Sequence, residues 1–330
     1  MRVAVIGVGV MGRNHARVYS EMPDVNLVGV ADVSQQAAEM ASKRYGGRPY
    51  NDYLRLLDEQ VPEAVSVVVP TVDHCSVAMQ IIQRGIHLLI EKPLSFTLEE
   101  GHALIAAAEQ YGVKLMVGHI ERFNPAVIEL KQHLASGAMG RVFQIDARRQ
   151  GPFPARIRDV GVVIDLAVHD LDIMRYVTGH EIVRVYAETQ RRVHSSHEDL
   201  LNGIVRLDDG TVGTLSTNWL TPTKIRELYV LSECGMFRAD YLTQDLYFYE
   251  NATMNSDTWD AIRMLRGVSE GRMIRYSIAK KEPLRSELES FVVAIQQQVS
   301  VPVTGLDGLK AIELAHALVT SGLEHNLISL

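Results

Sequence analysis

The first 32 residues narrow the choice of fold sharply. An apolar run from Arg2 to Ile6 leads into Gly7, Gly9 and Gly12, and a second apolar run ends at Asp32. Each part has a mechanical purpose in a dinucleotide site. Gly7 permits a tight turn out of a strand, Gly9 lets bare backbone approach a pyrophosphate, and Gly12 lets the next helix pack close to the sheet. That helix starts near Met11, its first N–H groups would point at the phosphates, and Val10 and Met11 join the cofactor contacts. A helical pattern follows (Ala16, Val18, Tyr19, Met22), so the glycines sit in the strand-turn-helix setting that an isolated glycine motif lacks.

Asp32 bears on which dinucleotide is bound. A carboxylate at that strand end accepts hydrogen bonds from a ribose 2′-hydroxyl and repels a 2′-phosphate, and no basic residue follows until Lys43. NAD is expected over NADP. The competing reading makes Asp32 only the cap of the helix through Ala37, Ala38 and Met40, a role Ser34 can also fill.

At 330 residues and 47% hydrophobic, the chain is long enough for two domains with cores of their own. With 33 basic against 40 acidic residues it offers a polyanion no general attraction, so nucleic acid is not an expected partner. Cys75 and Cys234 form no disulfide or zinc pattern. Apolar runs such as Val65 to Val69 are strand-length, far short of a membrane span. Nothing at the N-terminus reads as a signal peptide, and a cytoplasmic location is expected.

From residue 1 to about 120, strand-like runs (2–7, 26–31, 64–69, 86–90, 114–118) alternate with helical patterns (12–21, 34–44, 73–84, 97–111), with a very short strand at Arg48 to Tyr50. This predicts an α/β domain, a doubly wound parallel sheet with helices on both sides. From 121 to 330 the pattern predicts an α+β domain for substrate binding and oligomerisation. It has helices near 125–136 and 163–177 and strands near 141–149, 182–190, 201–207, 211–219, 226–232 and 244–249, giving a largely antiparallel, open-faced sheet. Asp209-Gly210 marks a hairpin. Two helices close the chain, near 285–299 and 307–324, the second capped by Asp307 and able to return to the first domain. Residues 250–283 carry no functional signal.

Two further groups can carry chemistry. Glu91-Lys92-Pro93 follows the fifth strand, at the crevice where doubly wound sheets bind ligands, and the lysine there can hold a substrate hydroxyl. Taken alone, a solvated lysine paired with Glu91 is the simpler reading. Pro93 implies a fixed backbone there, with a cis bond as one form of it, and Pro70, ending the run of Val65 to Val69, joins the cofactor-contacting set. Asp165 and His169 lie four residues apart, which stacks a carboxylate and an imidazole on one helix face, and Asp172 extends the stripe. Such a stripe must face water, a partner or a substrate. Behind a dinucleotide fingerprint and a crevice lysine, the histidine reads as the base that an alcohol oxidation needs. No metal is required, and no dense ligand cluster is visible.

Together these residues resemble the glucose-fructose oxidoreductase, inositol dehydrogenase and rhizopine catabolism group, Gfo/Idh/MocA, over essentially the whole chain. The resemblance rests on the glycine fingerprint with Asn14-His15, on Glu91-Lys92-Pro93, on Gly118 with Arg122-Phe123 and Asn124-Pro125, and on Asp165 and His169 in one helix. It implies a Rossmann domain binding NAD, a second domain whose open sheet forms a homodimer or homotetramer, and Lys92, Asp165 and His169 lining a sugar or polyol substrate. His169 or Lys92 would take the hydroxyl proton. One departure is Asp159-Val160-Gly161-Val162-Val163-Ile164, where many members carry a glycine cluster.

The segments from Gly118 to Pro125 and from Gly151 to Gly161 resemble the branch that oxidises C3 of UDP-N-acetylglucosamine. Arg148, Arg149, Arg156 and Arg158 fall close together ahead of the Asp165 helix, and guanidinium forks suit a diphosphate. Arg122 and Asn124 complete the expected substrate contacts. The alternatives are a solvated strand edge for the arginines, an unphosphorylated polyol as substrate, or a non-catalytic NAD-binding regulator, which would have no need of Lys92, Asp165 and His169.

Overall fold

The alternation at the start of the chain becomes a six-stranded, all-parallel sheet. It comprises β1 (Arg2–Ile6), β2 (Asn26–Ala31), β3 (Arg48–Tyr50), β4 (Ala64–Val67), β5 (His87–Glu91) and β6 (Leu115–Gly118), in the order β3-β2-β1-β4-β5-β6. A computed structural model describes residues 1–154, 160–194, 196–252 and 270–330. All of β4 and β6 is buried, as expected of strands covered on both faces. The helices between the strands are α1 (Val10–Glu21), α2 (Gln35–Tyr45), α3 (Tyr53–Gln60), α4 (His74–Ile82) and α5 (Leu98–Gln110). Their starts follow local side-chain chemistry. Ser34 caps α2, Asp52 caps α3, and Thr97 with Glu100 forms a reciprocal box on α5.

The chain divides into two compact units, Met1–Phe123 with Glu282–Glu313 and Asn124–Lys281 with Leu314–Leu330. The sequence boundary near residue 120 placed 282–313 in the second domain, whereas these residues cluster with the first. The reason is apolar: Leu284, Leu288, Phe291 and Val292 of α8 (Pro283–Gln296) are buried in the core around the parallel sheet. The last helix, α9 (Gly305–Glu324), contributes Leu309 and Ile312 to that core, and from Leu314 onward it belongs to the second unit. Its start is a box in which Asp307 accepts from the Thr304 amide and the Thr304 hydroxyl accepts from the Asp307 amide. Thr304 is therefore the cap, and Asp307 its partner one turn in.

The second unit is built on a nine-stranded sheet ordered β14-β13-β12-β11-β7-β10-β9-β8-β15. Its longer strands include β7 (Val142–Gln150), β8 (Ile182–Gln190), β9 (Leu200–Leu207), β10 (Val212–Asn218), β11 (Ile225–Ser232) and β13 (Asp245–Asn251). Three strands had no clear signal in the sequence: β12 (Gly235–Asp240), β14 (Glu270–Arg275) and the two-residue β15 (Ile328–Ser329). Pairing is antiparallel except between β7 and β10. Burial alternates along the strands, as in Leu201, Gly203, Val205 and Leu207 of β9, so one face is packed and the other is open. Two helices of this unit, α6 (Pro125–Ala135) and α7 (Val168–Thr178), pack on each other.

Candidate active site

In the first unit the glycine turn is shaped by close contacts at two of its three positions. Gly7 has φ of 87°, and a Cβ there would lie 2.3 Å from the Val68 carbonyl oxygen. A Cβ on Gly12 would come 1.8 Å from the Gly7 oxygen. Gly9 differs, because a Cβ on it would meet nothing within 4 Å. Its glycine is not demanded by the chain's own packing, and it leaves open space where a ligand's phosphates need backbone contact. Gly9 also caps α1 without any side-chain bond, and the first turn, with Val10 and Met11, holds no acidic residue. The N–H groups of that turn suit an anion.

Asp32 stands at the end of β2. Its Oδ2 accepts from the Val8 amide at 2.9 Å and its Oδ1 from the Ser34 amide at 2.9 Å, while Ser34, not Asp32, caps α2. The carboxylate is thereby fixed to the glycine turn, and its remaining lone pairs suit ribose hydroxyls. Pro70 is exposed at the end of β4 and starts a short turn, Thr71–Asp73.

Glu91, Lys92 and Pro93 follow at the end of β5, with the Lys92–Pro93 bond cis. Lys92 is half-buried, and its backbone amide donates to Glu91 Oε2 at 3.2 Å. The buried Glu91 Oε1 lies 3.0 Å from His15 Nε2 on α1. Burial works to raise the Glu91 carboxyl, but the His15 hydrogen bond and the His15 and Lys92 charges outweigh it and hold the group below the usual carboxylate range. Sequence reasoning missed His74, whose two ring nitrogens lie 2.8 and 3.0 Å from the Pro93 and Val69 carbonyl oxygens. It joins the loops after β4 and β5, and burial pushes its pKa down. No spacing in the sequence signals such a bridge.

The second unit holds Asp165 and His169. The helix expected over 163–177 opens with a π turn (Val163–Ala167) that carries Asp165, and α7 follows with His169 in its first turn. In a π turn the hydrogen bonds run i to i+5, so four residues fall just short of one turn. Glu198 accepts from the Val163 amide at this helix start, so the start does not depend on Asp165 as a cap. Asp165 is half-buried and His169 is 9% exposed. The stripe's third member behaves differently: Asp172 is fully buried, and so is Asp170, which takes Arg149 Nε at 3.0 Å on both carboxylate oxygens.

Of the expected arginine group, the two described members lie on opposite faces of the sheet. Along β7 the side chains alternate, so Arg149 turns to the packed face and pairs with Asp170, while Arg148 lies on the open face over the Tyr229 ring. Arg148 there lines a cleft of about 390 Å³ with Asp146, Gln150, Thr214, Ser216 and Ile225, on the side of the sheet away from α7. Arg156 and Arg158 lie outside the described residues. Two other expected substrate contacts are engaged within the chain. Buried Arg122 donates to Asp307 at 2.9 Å, and Asn124 caps α6 while donating its amide to the Tyr241 carbonyl at 3.0 Å. A polar residue before a helix proline is as good a cap as a ligand, so the motif alone does not separate the two roles. Among the described residues one group has metal-ligand spacing, the exposed hairpin cluster of His180, Asp208 and Asp209, away from Asp165 and His169 in sequence and joined by a direct 2.8 Å bond from His180 to Asp208.

A doubly wound sheet with this glycine turn, an acid at the end of β2 and a lysine past β5 defines a class, the NAD-binding oxidoreductases. Residues 1–119 match the family model described as "Oxidoreductase family, NAD-binding Rossmann fold", and residues 127–238 match the "GFO/IDH/MocA C-terminal domain". The chain belongs to the Gfo/Idh/MocA family and is an NAD-dependent dehydrogenase. It is 31% identical to the UDP-N-acetylglucosamine 3-dehydrogenase of Acidithiobacillus ferrooxidans over 96% of this chain and 95% of that one, and a solved structure of that enzyme superposes with a TM-score of 0.85, covering 97% of both chains. An inositol 2-dehydrogenase of Rhizobium meliloti is 26% identical, covering 100% and 99%. A levoglucosan dehydrogenase solved with NADH shares the fold, with a TM-score of 0.87 at 20% identity, covering 100% and 98%. Among the described residues no helix is long and apolar enough to cross a membrane.

Proposed function

We propose that this dehydrogenase oxidises the C3 hydroxyl of UDP-N-acetylglucosamine, or a closely related UDP-sugar, to the 3-keto sugar. The observation that carries this reading is the 31% identity, over nearly the full length of both chains, to an enzyme named for that reaction. Oxidising a secondary alcohol releases a hydride and a proton, and NAD when bound is the hydride acceptor. The chain's own residues handle the proton. His169 takes it from the hydroxyl, Lys92 donates a hydrogen bond to the same oxygen, and Asp165 orients the group. Gly7, Gly9, Val10, Met11, Gly12, Asp32, Pro70 and Glu91 serve the cofactor in this reading. Anchoring a UDP moiety far from the reacting carbon would help orient C3, an effect that can supply about 7–11 kcal/mol of the barrier.

A second reading, oxidation of an unphosphorylated polyol such as inositol, is favoured by the full-length match to inositol 2-dehydrogenase. Mixing the purified protein with NAD and either UDP-N-acetylglucosamine or myo-inositol, and following NADH absorbance, separates the two. Turnover of the UDP-sugar alone supports the first. Turnover of inositol with indifference to the UDP-sugar removes it. In the same reading the protein acts in the cytoplasm as a homodimer or homotetramer joined through the open face of the nine-stranded sheet, which sedimentation tests.

A further inference from the structure

The Asn14-His15 motif has no part in the chemistry described so far, yet His15 is wholly buried and makes one bond, to Glu91. Its Nδ1 has no hydrogen-bond partner among the described residues. A second oddity lies close by in the same unit. Glu287 on α8 is 0% exposed, and neither of its carboxylate oxygens has a hydrogen-bond partner. An isolated, ionised carboxylate in such a place would cost several kcal/mol, so Glu287 keeps its proton. Burial first, and then the Glu91 charge, push its pKa well above the usual carboxylate range. A leucine would fill this core position more favourably, so the polar residue calls for a reason.

The cluster's neighbours are few. α8 packs against α1 and against the short turn Ile120–Phe123. The ionisable groups on these elements and at the end of β5 are the exposed Arg13 and His15, Arg17, Tyr19 and Glu21 on α1, Glu91 and Lys92 on β5 and its exit, and Glu121 and Arg122 on the turn. α8 itself adds Arg285 and Glu289. Tyr19 is bonded to Ser66, Arg122 to Asp307, and Arg17 and Arg285 to acids at the surface. Among these groups Glu91 is a buried charge directly beside Lys92. β6 leaves room for it: a Cβ on Gly118 would come 3.2 Å from Glu91 Oε2.

We propose that His15 is a positioning residue for the reaction, holding the Glu91 carboxylate ionised and in place beside Lys92, with Glu287 as the uncharged third member of the cluster. Without the His15 donor, burial dominates and Glu91 takes up a proton. Lys92 then loses that negative charge beside it, and its reactivity toward an acylating reagent rises. The proposal rests on Lys92 being an active-site group, but its test needs no sugar, so a wrong substrate and a wrong role for His15 are told apart.

The measurement is the rate of Lys92 acetylation by trace acetic anhydride across pH, read by peptide mass spectrometry. H15L is expected to raise the rate near neutral pH about 3- to 10-fold. H15Q, whose amide can donate to the carboxylate, is expected to bring it back toward wild type. Y19F, on the same helix and equally buried, is the control for disturbed packing and should leave the rate alone. An unchanged rate in H15L, or an equal rise in Y19F, overturns the proposal. If H15L does not fold, E91Q removes the same charge from the other side, and an unchanged rate there overturns it equally.

Glu287 has its own readout. A carboxyl whose folded pKa is raised stabilises less and less as pH climbs above its unfolded value near 4.3. E287Q should therefore melt above wild type at pH 8, with the gap narrowing toward pH 5. A variant that melts below wild type at pH 8 shows an ionised, partnered Glu287 and overturns its assignment as the uncharged member.

Discussion

The glycine turn of the first unit and the Asp165–His169 helix of the second present their polar groups in opposite ways. At the turn the working groups are backbone: N–H donors of α1 laid bare because Gly9 has no side chain. On the helix the working groups are side chains, held by a buried Arg149–Asp170 pair and by the Glu198 carboxylate at the helix start. Backbone chemistry tolerates little variation, since two of its glycines are locked by contacts of 2.3 and 1.8 Å. Side-chain chemistry can be rebuilt one residue at a time.

The contrast can be broken at several points. H169A should lower kcat by about 10²- to 10⁴-fold while NAD affinity, measured by calorimetry, changes little. Equal loss of both would mean that the helix serves the cofactor as well. G12A should destabilise the fold by on the order of 2–4 kcal/mol in urea, because its Cβ overlaps the Gly7 oxygen and the backbone must shift. G9A sharpens the comparison: it should melt like wild type, having open space for its methyl group, yet bind NAD about tenfold more weakly, which is about 1.4 kcal/mol. A G9A protein with normal NAD affinity would place the pyrophosphate elsewhere. The smallest effect is expected from N124A, which should lose about 1 kcal/mol of stability with its helix cap and leave the substrate KM unmoved. A raised KM would return Asn124 to the substrate.

The parallel sheet was legible because its strands are continuous Val, Ile and Leu runs with helix caps between them, and local chemistry decides both. The short edges of the second sheet were harder. β15 is two residues held by pairing with β8, and β12 has no strong pattern of its own beside β11. Their strand character comes from the neighbour, which lies far away in the chain or across a turn. Among the candidate site residues, the tight backbone at Gly7 and Gly12 and the anchored carboxylate of Asp32 were legible because geometry leaves those positions few other uses. The partners of Arg122, Asn124 and Arg148 within the chain were not, since a polar side chain can serve a cap, an ion pair or an aromatic face equally well.

By itself the amino-acid order determined the dinucleotide turn, the two kinds of sheet and the types of side chain available to an alcohol oxidation, because these follow from contacts between near neighbours in the chain. Tertiary structure alone decided which polar groups are already engaged: Arg149 with Asp170, Arg122 with Asp307, Asn124 with the Tyr241 carbonyl, His15 with Glu91. A buried polar group must find a partner or carry a large desolvation cost, and that partner is set by packing between segments distant in sequence.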